Sequence, residues 1–204
     1  MSERRREYLR IEALETVRNA SKQENGEAKR LMLEEAIGKY RGYLGFEENK
    51  DDDDAWAGLG GAYRRIGDMD QAIESYATAY RLSGENTYAL VNLVSLIAAR
   101  RRPGDEALLQ QYAARAEDHL RDRIASGKDD HWTWYDLATL ELIQGKTSES
   151  MSTFLYAVER TPKEARENFA SVLSNLQFLA NQNPGMLGLA DAISLIGKFA
   201  QPPQ

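Results

Sequence analysis

The sequence predicts an all-α fold of antiparallel helical hairpins, and three observations support this prediction. Apolar residues recur at spacings of three and four, which is typical of amphipathic helices. The five prolines occur only at positions 103, 162, 184, 202 and 203, where they separate segments. Turns of two to four residues join most of the helical segments, so consecutive helices must run antiparallel.

Ten segments show the helical periodicity, and we expect eight or nine helices among them. Polar hinges rich in Gly, Asn and Asp separate the segments. The segments are 3–22, 29–46, 53–66, 69–82, 87–100, 105–126, 131–144, 147–160, 165–181 and 186–200.

Composition excludes several classes of site and partner. The 204 residues contain no cysteine, which excludes disulfides, thiolate zinc sites and cysteine nucleophiles and suits a reducing compartment. The net charge of -6 argues against a nucleic-acid partner. No apolar run approaches the roughly 18 residues of a membrane span, and no apolar core follows the N-terminal arginines. We expect a cytoplasmic protein that binds neither nucleic acid nor a membrane.

Two segments, 54–86 and 131–164, align with a constant offset of 78 residues. Trp56 then falls on Trp134, and Gly67 falls on Gly145. The segment between them starts at Thr87 and gains about ten residues, and part of the repeat also occurs upstream. The further aligned pairs are Leu59 with Leu137, Gly60 with Ala138, Ala72 with Ser150, Tyr76 with Phe154, Ala79 with Ala157, Gly84 with Pro162 and, upstream, Tyr40 with Tyr76.

These residues at this spacing resemble the tetratricopeptide repeat family, most specifically in 53–86. The resemblance implies a right-handed superhelix, an α-solenoid whose concave side is lined by the first helix of each hairpin. It also implies a non-catalytic role in protein or peptide binding, without a cofactor. We expect one solenoid domain over 1–204, formed by a degenerate helical pair at 1–50, repeats at 53–86, 87–130 (with a long insertion) and 131–164, and capping helices at 165–204.

The packing of the best repeat follows from its residues alone. Trp56, Leu59, Gly60 and Tyr63 share one helical face, and small residues opposite aromatic ones let two helices approach closely. Each hairpin exposes apolar surface on both flanks, so it is stable only when it is stacked on neighbours. By the same reasoning Trp134 belongs to the core. Trp132 lies on another face, where it either forms an exposed rim or covers the preceding long helix.

Two polar motifs have a structural and a functional interpretation. Asp51–Asp54 would make a poor metal site, because consecutive carboxylates point in different directions. We interpret them as a linker whose last aspartates cap a helix that begins at Ala55. The glycines of GLGG at 58–61 lack the preceding strand of a phosphate-binding loop. We place Gly60 in a helix–helix contact and expect Gly61 to keep the concave surface open.

The resemblance assigns a set of residues to the concave surface. Asn92 stands where family members that grip a C-terminal carboxylate carry Asn, but Ala57 and Val91 replace the expected basic residues, which argues against such a clamp. Arg64 and Arg65 favour a partner with acidic and apolar side chains, unless they merely solvate a helix end as surface charges commonly do. The candidate binding residues are Gly61, Arg64, Arg65, Val91, Asn92, Ser95, Ala99, Trp132, Tyr135 and Thr139.

Three functions remain open, and a non-catalytic scaffold that binds a protein or peptide is the leading one. The alternatives are a regulatory module acting on an enzyme domain or partner subunit, and a self-assembling unit that dimerises through the C-terminal helix with Leu187, Leu195 and Phe199. His119 and His131 lack the context of a catalytic dyad, so we do not expect an enzyme.

Overall fold

A computed structural model describes residues 3–24 and 26–200, with the side chains of 3–7 left aside, and all ten predicted segments are helical in it. No strand occurs in this part of the chain. The last four residues of the predicted capping segment lie outside the described residues. The helices are α1 (Glu3–Ala20), α2 (Gly26–Leu44), α3 (Asp53–Ile66), α4 (Met69–Leu82), α5 (Thr87–Arg100), α6 (Asp105–Ala125), α7 (His131–Ile143), α8 (Thr147–Arg160), α9 (Asn168–Gln182) and α10 (Leu189–Ala200).

The chain divides into two compact units, Met1–Leu96 and Ile97–Gln204. In the first unit α1 pairs with α2, α3 pairs with α4, and α2 packs against α3. In the second unit α7 pairs with α8 and α9 with α10, while α6 contacts α7 and α10 contacts α8. A single solenoid domain over 1–204, with the subdivisions given above, stays a prediction.

The start of α3 confirms the capping interpretation and corrects its residue. Asp52 is the N-cap, and its Oδ1 accepts a hydrogen bond from the backbone N–H of Ala55 at 2.8 Å. Its Oδ2 accepts from the Tyr43 hydroxyl at 2.7 Å, which links the cap to α2. The helix begins at Asp53, the first residue of the predicted segment 53–66 and two residues before Ala55, because the capping residue is Asp52, which has a donor on each carboxylate oxygen.

A left-handed residue closes the first helix of three successive hairpins. Gly67 has φ +86° and Gly145 has φ +78°, and neither incurs the steric cost that a Cβ imposes there. Arg101 occupies the corresponding position after α5 with φ +52°. The middle hairpin thus places a strained non-glycine residue at this position, and its turn is closed differently, because the backbone N–H of Arg102 donates to the Asp105 carboxylate.

Glycines allow close contact between the helices of the first unit. A Cβ on Gly60 would lie 3.0 Å from the Tyr76 ring, which confirms the predicted contact between α3 and α4. A Cβ on Gly58 would overlap the hydroxyl of Tyr40, so Gly58 permits an equally close contact between α2 and α3.

The prediction that Trp134 lies in the core is wrong, because the residue is half-buried. Its Nε1 donates to Asp129 at 2.7 Å, and its ring lies 4.3 Å from that of Tyr156. An indole N–H needs a hydrogen-bond acceptor, and the acceptor here lies near the surface. Trp56 is also half-buried, and it donates to the carbonyl of Lys50 at 2.8 Å.

None of the described helices combines the length and the apolar character needed to cross a membrane. Within the described residues, no group of three or more His, Cys, Asp or Glu side chains is placed to hold a metal ion.

Candidate functional site

In the first unit, a hydrogen-bonded chain links α3 to α5 at the predicted binding residues. The Arg64 Nη1 donates to the Asn92 Oδ1 at 2.8 Å, and the Asn92 Nδ2 donates to the carbonyl of Tyr88 at 2.9 Å. Burial lowers the pKa of Arg64 below its usual value, although the nearby Tyr76 and Tyr88 act in the opposite direction. Arginine remains protonated at physiological pH, so Asn92 holds a cation at the edge of the core.

Arg65 is the exposed cation of this surface. Its Nη1 donates to the carbonyl of Gly61 at 2.9 Å, which folds the side chain back over α3. It forms no ion pair with the described residues. The guanidinium therefore keeps most of its five donors available to a partner.

The expectation that Gly61 opens the surface is wrong, because the residue is buried beneath side chains of its own unit. A Cβ at this position would lie 3.0 Å from the Arg65 Nη1, 3.4 Å from the Tyr76 hydroxyl and 3.6 Å from the Tyr88 hydroxyl. Gly61 thus provides the space in which a guanidinium and two phenol hydroxyls meet.

Three other predicted binding residues are buried and cannot contact a partner in this structure. Val91 is 7% exposed, Ala99 is 5% exposed and Tyr135 is 2% exposed. The Tyr135 hydroxyl shares a 2.8 Å hydrogen bond with the hydroxyl of Thr161 at the end of α8, and burial raises the pKa of Tyr135. Neighbouring helices cover these faces, which the periodicity of one helix does not reveal.

Ser95 and Thr139 are half-buried, and their hydroxyls donate to backbone carbonyls one turn earlier. The Ser95 hydroxyl donates to Val91 at 3.0 Å, and the Thr139 hydroxyl donates to Tyr135 at 2.8 Å. These bonds use the hydroxyl protons within the helices, so both residues offer a partner only their acceptor lone pairs.

In the second unit, α7 presents Trp132 beside an acidic residue that the sequence analysis missed. Trp132 is half-buried, with its ring 5.3 Å from His131 and 6.2 Å from Tyr135. The pKa of Asp136 is raised to about 7, mainly by burial and to a smaller extent by the charge of Asp130, while Arg123 acts in the opposite direction. No hydrogen bond to the Asp136 carboxylate occurs among the described residues.

A run of three consecutive arginines, 100–102, stabilises the turn between α5 and α6. The Arg100 guanidinium contacts both oxygens of Asp105, at 2.6 and 3.1 Å, and the backbone N–H of Arg102 donates to the same carboxylate at 2.7 Å. The hydrogen bonds from Arg100 hold the pKa of Asp105 below its usual value. The Arg101 Nη1 donates to Asn183 at 2.9 Å. These arginines are engaged within their own unit.

Comparison with known proteins decides the nature of the best hairpin. The family model for the tetratricopeptide repeat matches α3 and α4 over residues 53–86. Residues 53–86 are therefore similar in sequence to a tetratricopeptide repeat. The comparison with curated proteins finds no match.

A solved structure supports the same fold over most of the chain. The crystal structure of a thermophilic TPR protein from Thermus thermophilus matches with a TM-score of 0.52 and 14% identity, and the match covers 91% of this chain and 99% of that one. This likeness shows the fold alone, which is the predicted all-α fold of helical repeats.

The repeat register explains why Asp136 could have been found from the sequence. In the tetratricopeptide repeat at 53–86 the sixth residue is Gly58, and the residues in the same position of the next two hairpins are Asn92 and Asp136. Asn92 lies on the surface that contains Arg64. Asp136 occupies the equivalent position on α7, a helix whose residues are largely apolar and buried, and this indicates a polar site there.

A different face of α3 lines a pocket of about 270 Å³ with the ends of α2 and α4. Leu44, Trp56, Leu59 and Tyr63 supply its apolar walls, and Arg41 and Glu74 are also among its lining residues. The Arg41 guanidinium lies 5.5 Å from the Tyr63 ring. Sequence periodicity assigned Trp56 and Leu59 to the core and gave no sign of this space.

Proposed function

We propose that this chain is a non-catalytic scaffold or adaptor whose first-helix surface in Met1–Leu96 binds a protein or peptide with acidic and apolar side chains. The observation that supports it most directly is the exposed Arg65, which has no acidic partner among the described residues. The neighbouring Tyr88 is 53% exposed and offers an aromatic surface for apolar side chains. The family resemblance supports binding by analogy, since a fold alone does not fix a function.

The contact surface that we propose is smaller than the predicted set. Arg65 and Tyr88 contact the partner directly, and Asn92 acts by holding Arg64. In the second unit, Trp132 and Asp136 are a separate candidate surface on α7. Val91, Ala99 and Tyr135 are omitted because they are buried.

Crosslinked capture from lysate of the native organism tests this surface. The baits are the wild type, Arg65→Glu, the double variant Arg64→Glu/Arg65→Glu and the control Arg81→Glu, an exposed arginine on α4. We expect Arg65→Glu to abolish recovery of at least one partner that Arg81→Glu retains. The single variant matters because Arg64 is engaged with Asn92, so the double variant also disturbs the fold. Equal recovery of every partner by all four baits would remove this surface from the proposal.

Self-association through the C-terminal helix and the turn before it is the second candidate, because Leu187 in that turn is 77% exposed and Phe199 on α10 is 43% exposed. The ring centroids of Phe199 and Phe169 lie 5.7 Å apart, so the exposed Phe199 is in contact with a residue of the apolar core. Sedimentation velocity of the wild type, Leu187→Ser/Phe199→Ser and the control Leu155→Ser tests this. A dimer that only the double variant dissociates is expected, and a monomeric wild type at high concentration contradicts it.

We also propose a cytoplasmic location, which the absence of cysteine supports and which fractionation of native cells tests.

A further inference from the structure

The Tyr76 hydroxyl is a buried polar group that the fold does not use. Tyr76 is 0% exposed, and no group among the described residues lies in direct hydrogen-bond geometry with its hydroxyl. Burial raises the pKa of Tyr76, and the neighbouring Tyr88 hydroxyl raises it further through its charge and as a hydrogen-bonding neighbour. Phe154, which occupies the corresponding position on α8, is also 0% exposed. A phenyl ring is therefore sufficient for packing at this position. The Tyr76 hydroxyl loses its hydrogen bonds to water on folding, and this loss destabilises the folded state.

The groups around this hydroxyl are hydrogen-bond donors. The Tyr88 ring meets Tyr76 edge-on with centroids 6.0 Å apart, and the Tyr88 hydroxyl and the Arg65 Nη1 converge with that of Tyr76 above Gly61. The Arg64 guanidinium contributes a second positive charge nearby. None of the groups that influence the ionisation of Tyr76 is a carboxylate.

We propose that Tyr76, Tyr88 and Arg65 form a subsite for an anionic oxygen group, the carboxylate or phosphate of a side chain in the bound peptide. This subsite rests on the proposed peptide-binding function and names the group that the surface recognises. Arg65 leaves the Gly61 carbonyl, Tyr88 rotates outward, and the anion accepts hydrogen bonds from both and from the Tyr76 hydroxyl. Charge-assisted bonds of this kind are the strong ones. The space above Gly61 is filled by the Arg65 guanidinium and the two phenol hydroxyls in this structure, and it becomes available to the anion only when Arg65 and Tyr88 move.

The anion probes are inorganic phosphate and acetate, titrated into the full chain at constant ionic strength and followed by ¹H–¹⁵N correlation spectra. We expect saturable shifts at the amides of Gly61, Arg65 and Tyr88. Tyr76→Phe and Arg65→Gln should each weaken binding at least tenfold. The matched control Tyr156→Phe, at an exposed tyrosine of the second unit, should leave the affinity unchanged. The tighter of the two probes identifies phosphate or carboxylate as the recognised group.

Thermal unfolding separates a lost subsite from a damaged fold. Tyr76→Phe should unfold at the same temperature as the wild type or a higher one, because the equivalent Phe154 is fully buried without a hydroxyl. The absence of saturable shifts for both anions, or binding that Tyr76→Phe and Arg65→Gln leave unchanged, overturns the subsite. If Arg65→Glu still loses its partner in the capture experiment, the proposed function stands without the subsite. Anion binding without any Arg65-dependent partner supports the subsite and contradicts the proposed function.

Discussion

Replacing Asp136 by Asn should stabilise the protein above pH 7. The pKa of Asp136 rises from 3.8 to about 7, chiefly through burial. Between these values the folded state binds more protons than the unfolded state, so stability falls as pH rises through this window. About three pKa units correspond to a ceiling of roughly 4 kcal/mol. Because the residue is only half-buried, solvent screening reduces this, and we expect a gain of about 1–3 kcal/mol.

Urea unfolding at pH 8 and pH 4 measures this effect for the wild type, Asp136→Asn and the control Asp118→Asn. Asp118 is exposed on α6 of the same unit, so its replacement should change stability by less than about 0.5 kcal/mol. The gain from Asp136→Asn should be large at pH 8 and should largely vanish at pH 4, where the wild-type carboxyl is mostly protonated when folded. A loss of stability at pH 8, or a gain independent of pH, would refute the reasoning by showing that the carboxylate is ionised and paired when folded.

Four further substitutions follow from the same structure. Hydrogen bonds from Lys146 and, to a smaller extent, from Arg121 lower the pKa of Glu117 from 4.5 to about 2. The Lys146 Nζ lies 2.8 Å from the Glu117 Oε2. The side chains of Lys146 and Arg121 are 40% and 55% exposed, so Glu117→Gln should lower the free energy of unfolding by only about 1 kcal/mol at pH 7. In urea titrations this loss should become smaller as the pH falls from 4.5 to about 2, because Glu117 becomes protonated over this range. Gly58→Ala should destabilise the protein by about 1–3 kcal/mol, because the added Cβ would overlap the Tyr40 side chain. Gly38→Ala on α2 should stabilise the protein by about 1 kcal/mol, because no atom lies within 4 Å of the added Cβ. Calorimetry that shows the same sign for both changes would contradict this. Arg101→Gly should remove about 1 kcal/mol of backbone strain at φ +52° and should also remove the hydrogen bond from Arg101 to Asn183. We expect a higher unfolding temperature. An unchanged or lower unfolding temperature would show that the hydrogen bond stabilises the protein by at least as much as the strain destabilises it.

The helices could be predicted almost residue by residue because periodicity and turn chemistry are local. α3, α4 and α5 have the predicted bounds, and α9 starts three residues later than predicted because Lys163–Ala165 forms a 3₁₀ turn after Pro162. The close contact of Gly60 with Tyr76 also followed from the spacing of small and aromatic residues.

The candidate site was only partly predictable, because it depends on which partner each side chain finds. The repeat register placed Arg64 and Asn92 on one surface, and the structure joins them by a 2.8 Å hydrogen bond. The register of one helix did not reveal that neighbouring helices cover Val91 and Tyr135. Asp136 shares the repeat position of Asn92, but the sequence gives no sign of the burial that raises its pKa.

The repeat itself supplies the comparison that separates a binding role from a packing role. Tyr76 and Phe154 are both fully buried at one repeat position, so the hydroxyl contributes nothing that packing requires. Asp136 likewise loses hydration on α7 without a hydrogen bond in return. A fold selected for stability alone would carry Phe and Asn at these two positions. If Tyr76→Phe and Asp136→Asn both stabilise the protein, each native polar group lowers the stability of the free protein. A ligand that forms hydrogen bonds with these groups, and so offsets their desolvation, is then the direct explanation. If both variants lose stability, both groups have partners when folded, and the argument for binding returns to Arg65 alone.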